Sequence, residues 1–296
     1  MESSKVIIEV RANEYTMRDG NPNVPWSAEE LGRDAASCEA AGASIYHFHA
    51  RRPDGTPDHS PEGNANAIRA IRAHSGLLIH PTLGWATHDA SAQDRLAAVE
   101  ALCRDKSTRP DFAPMDVGSV NVDRFDPRAK RFASTDSVYR NQTETLMYFA
   151  KRIPELGLMP YVTSWNISFS RQIDAFFEAG LLKAPLLLAF IFTGGDLIAG
   201  HPATSQGLRA HLDFLPARDG LQWTACNYGG DLLGILGPML AAGGHVAIGL
   251  GDFAYRGFGC PTNADIVRYV ADYARKLGRE PATPDEVRRL LQIGGQ

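Results

Sequence analysis

A chain of 296 residues with 30 Lys and Arg against 34 Asp and Glu carries a formal charge of −4, and 44% of its side chains are apolar. This is globular composition with enough apolar surface for a sizeable core; it excludes a disordered tail protein and a broadly basic nucleic-acid binder, while leaving room for a local basic patch against an anionic ligand. No apolar stretch approaches the ~18 residues of a membrane span and no signal-peptide pattern opens the chain. Cys38, Cys103, Cys226 and Cys260 lie far apart without CxxC spacing, so reduced thiols in a cytoplasmic protein are expected.

The first strand is expected over Val6–Arg11. Ser27 then caps a helix, with Glu30 completing a capping box and Gly42 ending it. Ser44–His49 reads as the second strand, a helix opens at Pro61, and Leu77–His80 is the third strand. Ser91 caps a helix running through Leu102, Phe112–Val117 is the fourth strand, and a long helix is expected from Ser137 to about Glu155. Met159–Val162, Leu186–Phe190, Leu221–Ala225 and His245–Gly249 are strands five to eight, separated by helices over Ser168–Ala179, Pro202–Phe214 and Leu232–Ala242. Two further helices follow, over Asn263–Lys276 and Pro284–Ile293. Eight strand–helix units without a linker predict parallel strands with crossover helices. At this length they favour one α/β domain over residues 1–296, a (β/α)8 TIM barrel with extra C-terminal helices, whose chemistry should sit at the C-terminal ends of the strands.

The strongest local signal is His47-Phe48-His49. Residues i and i+2 on a strand point to the same face, so both imidazoles project to one side, where they suit a divalent metal such as zinc. A hydrogen-bonded pair of histidines at a strand end is the plainer alternative. Glu14 and Asp252 follow strands one and eight and Asp116 closes strand four, where a barrel places carboxylates that do chemistry. Thr82 could hydrogen-bond a ligand, Ser119 and Asn121 could line the mouth, and His80 reads as core or as support for the site. Tyr228-Gly229-Gly230-Asp231 is compatible with a phosphate loop and equally with a plain tight turn. His59, His74, His88, His201 and His211 have no partner spacing, and His245, at the start of strand eight, reads as structural.

Taken in order, several segments resemble the β-keto acid cleavage enzymes, typified by 3-keto-5-aminohexanoate cleavage enzyme. They are Asn21–Trp26, Ala40–Ser44, His47-Phe48-His49-Ala50-Arg51 with Asp54-Gly55, Met115–Ser119 with Asn121, Ala242–Val246 and Gly278–Pro284. The resemblance implies a zinc-binding barrel that forms homo-oligomers, commonly tetramers. It also implies cleavage of a small β-keto acid with acetyl-CoA to give acetoacetate and a new CoA ester. On that pattern His47 and His49 are two metal ligands, Glu14 and Thr82 contact substrate, Asp252 is the base, and Arg51, Asp116 and Ser119 are further substrate-binding candidates. The pattern also implies an arginine, a metal-ligating glutamate and a second glutamate where this chain has Ala247, Gly251 and Thr163. The base is therefore expected to lack its charged neighbours. The third metal ligand is left open among Glu14, His80, Asp116 and Asp252. Two alternatives stand beside this reading: altered chemistry without CoA, of aldolase, hydrolase or isomerase type, and a non-catalytic binder of carboxylates or metal.

Overall fold

A computed structural model describes residues 5–84 and 90–294; His88 lies outside them. Eight parallel strands form one sheet: β1 (Ile8–Arg11), β2 (Ile45–Phe48), β3 (Leu78–Pro81), β4 (Phe112–Asp116), β5 (Met159–Ser164), β6 (Leu186–Thr193), β7 (Leu221–Tyr228) and β8 (His245–Ile248). Ladder bonds run continuously from β3 through β2, β1, β8, β7, β6 and β5 to β4. A side chain helps to close the ring between β3 and β4. The Asp111 backbone N–H donates to Ile79 O at 2.9 Å, and Ile79 N–H donates to Asp111 Oδ2 at 2.7 Å. The TIM barrel expected from the alternation is the fold.

Helices α1 (Ala28–Ala41), α2 (Pro61–His74), α3 (Ala92–Leu102), α4 (Thr143–Glu155), α5 (Ile167–Glu178), α6 (Ser205–Leu212), α7 (Leu236–Ala241), α8 (Asn263–Lys276) and α9 (Pro284–Leu291) complete the chain. Their starts follow local chemistry. Ser27 and Glu30 make the expected capping box, and Gly42 ends α1 at φ 113°, a conformation open to glycine at little cost. Strand alternation divides the core in two. Ile8, Val10, Tyr46 and Phe48 pack outward against the helices, while Ile7, Ile45, Leu78, Phe112, Leu187 and Ala247 fill the barrel interior. Val287 and Leu291 of α9 close the bottom against that inner cluster, and Lys5–Val6 pairs with Glu280–Pro281 there.

The first strand is thus split, Lys5–Val6 serving the bottom of the barrel and Ile8–Arg11 its wall. The long helix expected from Ser137 starts only at Thr143. The Ser137 N–H is held by Asp123 Oδ1 at 3.2 Å, and Val138–Tyr139 pairs with Val120–Asn121 as a small antiparallel ribbon. A second ribbon joins Phe125–Asp126 to Arg131–Phe132. This insertion between β4 and α4 lies at the C-terminal ends of the strands. The helix expected over Leu232–Ala242 opens with a 3-10 turn, Leu233–Ile235.

Candidate active site

On β1 the inward positions carry Glu9 and Arg11, which alternate with the outward Ile8 and Val10. Their neighbours on β2 and β3 are His47 and His80, since Arg11 pairs with His47 and His47 with His80. The apolar floor of the barrel therefore gives way to polar groups toward the C-terminal ends. They line one side of a cavity of about 440 Å³ whose other walls include Tyr15, Thr82, Leu83, Tyr139, Thr163, Trp165, Leu197 and Tyr228.

Glu14, His47 and His49 converge there, each bringing one ligand atom within 4.8 Å of the others. Glu14 Oε1 is 3.0 Å from His47 Nε2, and Oε2 is 2.8 Å from His49 Nε2. His47 Nδ1 lies 2.9 Å from the His80 carbonyl, which can only accept. Nδ1 therefore donates, which leaves Nε2 directed at the Glu14 carboxylate. Burial pushes His49 down to about 4, against the pull of Glu14, so its ring is neutral as a ligand must be. The three donors fit a divalent metal.

The loop after β1 that carries Glu14 is held tightly. Asn13 Nδ2 donates to Pro25 O and His49 O, each at 2.9 Å, and accepts from His49 N–H at 2.8 Å. Glu14 itself sits at φ 35°, a strained conformation for a side-chain-bearing residue. Arg51, expected to bind substrate, instead clamps this loop. Its guanidinium donates to the carbonyls of Asn13, Glu14 and Gly55 and is absent from the cavity wall. With those donors committed to backbone, its contribution is to the position of Glu14. Gly251 completes the fit: a Cβ there would meet Glu14 Cγ at 2.8 Å. A glutamate at 251 and the observed Glu14 are mutually exclusive.

Sequence reasoning missed Arg11. Its Nη2 is 2.6 Å from Glu14 Oε1, and its Nε is 3.0 Å from both oxygens of Asp252. The expectation that Asp252 would lack a charged neighbour is corrected: an arginine stands beside it, delivered from the adjacent strand rather than from position 247. Ala247 pairs with Glu9 in the β8–β1 ladder, two residues from Arg11. Burial pushes Asp252 up to about 7; Arg11 pulls it down and Glu14 pushes it further up. For Glu14, burial also pushes up, but Arg11, His47 and His49 outweigh it and hold the carboxyl well below its usual range. Arg11 and Glu14 face the cavity; Asp252 stands behind Arg11, and among the described residues its Oδ2 has the Arg11 ion pair but accepts no hydrogen bond.

Beneath these groups, Glu9 accepts a hydrogen bond from His80 Nδ1 at 2.7 Å and another from the Tyr161 hydroxyl. His80 is thus a buried member of the polar interior, its Nε2 without a hydrogen-bond partner among the described residues. Glu9, His80 and His47 also share a 4.8 Å neighbourhood. Asp116 lines the opposite wall and takes hydrogen bonds from Tyr139 Oη at 2.6 Å, Trp165 Nε1 at 2.8 Å and the Thr163 hydroxyl. Thr82 lines the cavity, and its Oγ1 accepts from Gly84 N–H at 3.0 Å, leaving its O–H free to donate. Ser119 does not reach the cavity wall; its Oγ accepts the Asn141 N–H at 2.8 Å and orders the start of α4. The Tyr228–Asp231 segment is the plain tight turn, with Gly229 at φ 79° and its N–H on Asp252 O at 3.0 Å. His245 is structural, accepting Ile7 N–H at 3.1 Å.

Comparison with known proteins agrees with this architecture. A profile for the beta-keto acid cleavage enzyme family matches residues 5–293. The chain is similar to 3-keto-5-aminohexanoate cleavage enzyme of Fusobacterium nucleatum, 29% identical over 279 residues and covering 93% of each protein. It is also similar to 3,5-dioxohexanoate:acetyl-CoA acetone transferase of Paraburkholderia graminis, 26% identical over 291 residues, 93% of this chain and 91% of that protein. Among solved structures, apo ObcA superposes with a TM-score of 0.71 at 14% identity. The match covers 92% of this chain and 66% of that one, so the barrel spans about two thirds of ObcA's length. This last likeness concerns the fold.

Proposed function

The chain belongs to the beta-keto acid cleavage enzyme family, and we propose that it cleaves a small β-keto acid with acetyl-CoA, giving acetoacetate and a new CoA ester, with a divalent metal held by Glu14, His47 and His49. In this reaction the bond between the keto carbon and the methylene of the keto acid breaks. The released acyl group passes to the CoA sulfur, and the acetyl group joins the CH2COO− fragment. The relative named as an acetyl-CoA transferase supports the choice of co-substrate. The observation that carries the reading is the convergence of one carboxylate and two imidazoles on a single point at the barrel mouth.

Two nitrogens and one oxygen are a common protein donor set for catalytic zinc. When bound, such an ion supplies Lewis acidity toward the keto and carboxylate oxygens of the substrate. The residues supply the rest. Arg11 keeps a fixed positive charge against the cavity, where negative charge develops as the carbon–carbon bond breaks. Asp252, pushed up by burial to about 7 and paired with Arg11 from behind the cavity wall, is suited to exchange a proton at neutral pH. Thr82 offers its hydroxyl to substrate from the wall. Asp116 gathers Tyr139, Thr163 and Trp165 into the opposite face, which bounds the substrate's tail.

The test is incubation of the purified protein with a panel of β-keto acids, acetyl-CoA and added zinc, with elemental analysis of the protein as isolated. Acetoacetate and a matching new thioester are expected from at least one acid. Absence of both products from every acid, with metal bound, refutes the proposal.

A further inference from the structure

We propose that the ribbon Phe125–Asp126/Arg131–Phe132, in the insertion between β4 and α4, holds the phosphate groups of the CoA ester. The proposal rests on the acetyl-CoA reading above and adds a location to it. It starts from size. A cavity of about 440 Å³ lined by side chains from the barrel can take a keto acid and the acyl end of a thioester. The phosphorylated nucleotide at the other end of CoA must then lie outside, on the surface around the mouth. That end carries a diphosphate and a 3′-phosphate, all anionic at neutral pH, with the phosphate monoester at about −1.5 to −2.

The chain as a whole is acidic, yet residues 124–131, Arg-Phe-Asp-Pro-Arg-Ala-Lys-Arg, hold four cations against one carboxylate. That carboxylate, Asp126, is occupied with the turn, accepting the N–H groups of Arg128 and Ala129 at 2.8 and 3.0 Å. Arg128, Lys130 and Arg131 are exposed, and among the described residues none of the three makes an ion pair. They differ in this from the other basic groups around the site. Arg11 is held between Glu14 and Asp252, and Arg51 is spent on backbone carbonyls.

Position ties the ribbon to the mouth. Arg124, at its base, is part of the cavity wall. The base is fixed to the loop after β6 by Phe125 N–H to Asp196 O at 2.8 Å, by the Arg124–Asp196 ion pair at 2.5 Å and by the Arg124–Leu197 bridge. From Arg124 to Arg128 is four residues, at most ~14 Å of chain, so the cations stand within reach of a ligand that threads the mouth. The ribbon also offers an aromatic surface. Phe125 and Phe132 meet edge to face at 5.2 Å, and Phe132 is 49% exposed. An adenine can stack on such a ring while its phosphates meet the neighbouring guanidinium and ammonium groups.

The experiment uses the full chain and the variant Arg128→Glu/Lys130→Glu/Arg131→Glu, whose exposed positions leave the barrel's packing intact; unchanged thermal unfolding confirms this. CoA, pantetheine, adenosine 3′,5′-bisphosphate and inorganic phosphate are titrated calorimetrically against both proteins at low and moderate salt. Charge reversal should weaken CoA by about tenfold or more and flatten its salt dependence, leaving pantetheine unaffected. In turnover, KM for acetyl-CoA should rise while kcat, KM for the keto acid and the rate with S-acetyl-N-acetylcysteamine, which lacks the nucleotide, stay put. Equal CoA affinity in the two proteins, or inorganic phosphate binding as tightly as CoA, overturns the assignment. A protein that turns over acetyl-CoA yet ignores charge reversal refutes the ribbon alone. A protein that cleaves no keto acid refutes the parent reaction, and the CoA titration still decides the ribbon.

Discussion

Replacing Arg11 by methionine removes a cation placed between two buried carboxylates, Glu14 and Asp252, while keeping most of the side chain's volume. Arg11 is 8% exposed, with Glu14 Oε1 at 2.6 Å and both Asp252 oxygens at 3.0 Å. At an effective dielectric of about 20, a unit pair near 3 Å attracts by about 5 kcal/mol before desolvation is counted. Measured losses on breaking a buried pair are about 3–5 kcal/mol, because the partner charge is left uncompensated. At roughly 2–4 °C per kcal/mol for a large domain, the melting temperature should fall by roughly 6–20 °C. Asp252 should also lose the pull that limits its pKa and remain protonated at neutral pH, so activity should fall with stability. Denaturation of Arg11→Met, Asp252→Asn and the double variant provides the assay. Because each single variant breaks the same Arg11–Asp252 contact, the double variant should lose at least about 1 kcal/mol less than the sum of the singles. Arg11→Lys, with a single ammonium unable to serve both carboxylates, should fall between wild type and Arg11→Met. Additivity within about 0.5 kcal/mol, or an unchanged melting temperature for Arg11→Met, would refute the reasoning.

Gly251→Ala should push Glu14 out of line, because the new Cβ would meet Glu14 Cγ and the Arg11 carbonyl at 2.8 Å; overpacking of this kind costs about 1–3 kcal/mol, and metal affinity measured by competition with a chelator should drop with it. Exhaustive chelation should abolish turnover and zinc should restore it in wild type, whereas His47→Ala and His49→Ala should hold less metal and recover little; full activity in a protein shown to be metal-free would dispose of the metal site. Turnover that needs the Asp252 carboxylate should rise through about pH 7, where burial has placed that group, and Asp252→Asn should remove the rising limb. The sign for stability is opposite. A carboxyl raised from the ordinary aspartate range to about 7 makes its folded-state contribution less favourable as pH climbs across that interval, so Asp252→Asn should flatten the decline in melting temperature between about pH 4 and 7. Glu14, held low, instead contributes stability that is lost only on strong acidification.

Much of this protein is local information. The eight-fold alternation of strand and helix patterns specifies the barrel, because hydrophobic period and capping chemistry act over a few residues; the Ser27–Glu30 box and the Gly42 stop are legible without any tertiary contact. The His47/His49 pair is equally local, since residues two apart along extended chain share one face, even though β2 ends at Phe48 and His49 lies just past it. Glu9 and Arg11 carried a signal as well: charges alternating with Ile8 and Val10 on a strand of a parallel barrel can only point inward. What local pattern does not specify is which distant side chains meet. Glu14 becomes the third donor because β1 lies beside β2, and Arg11 becomes the partner of Asp252 because ring closure sets β8 against β1. Arg51 and Ser119, polar and near strand ends, looked like ligand groups, but unpaired backbone atoms of neighbouring loops claimed them first. The insertion after β4 showed a helical pattern near its end, yet pairing of Val138–Tyr139 with Val120–Asn121 outweighed it up to Thr143. Which side chains of distant strands meet depends instead on closure of the whole ring, a long-range condition that decides which chain segments share the mouth.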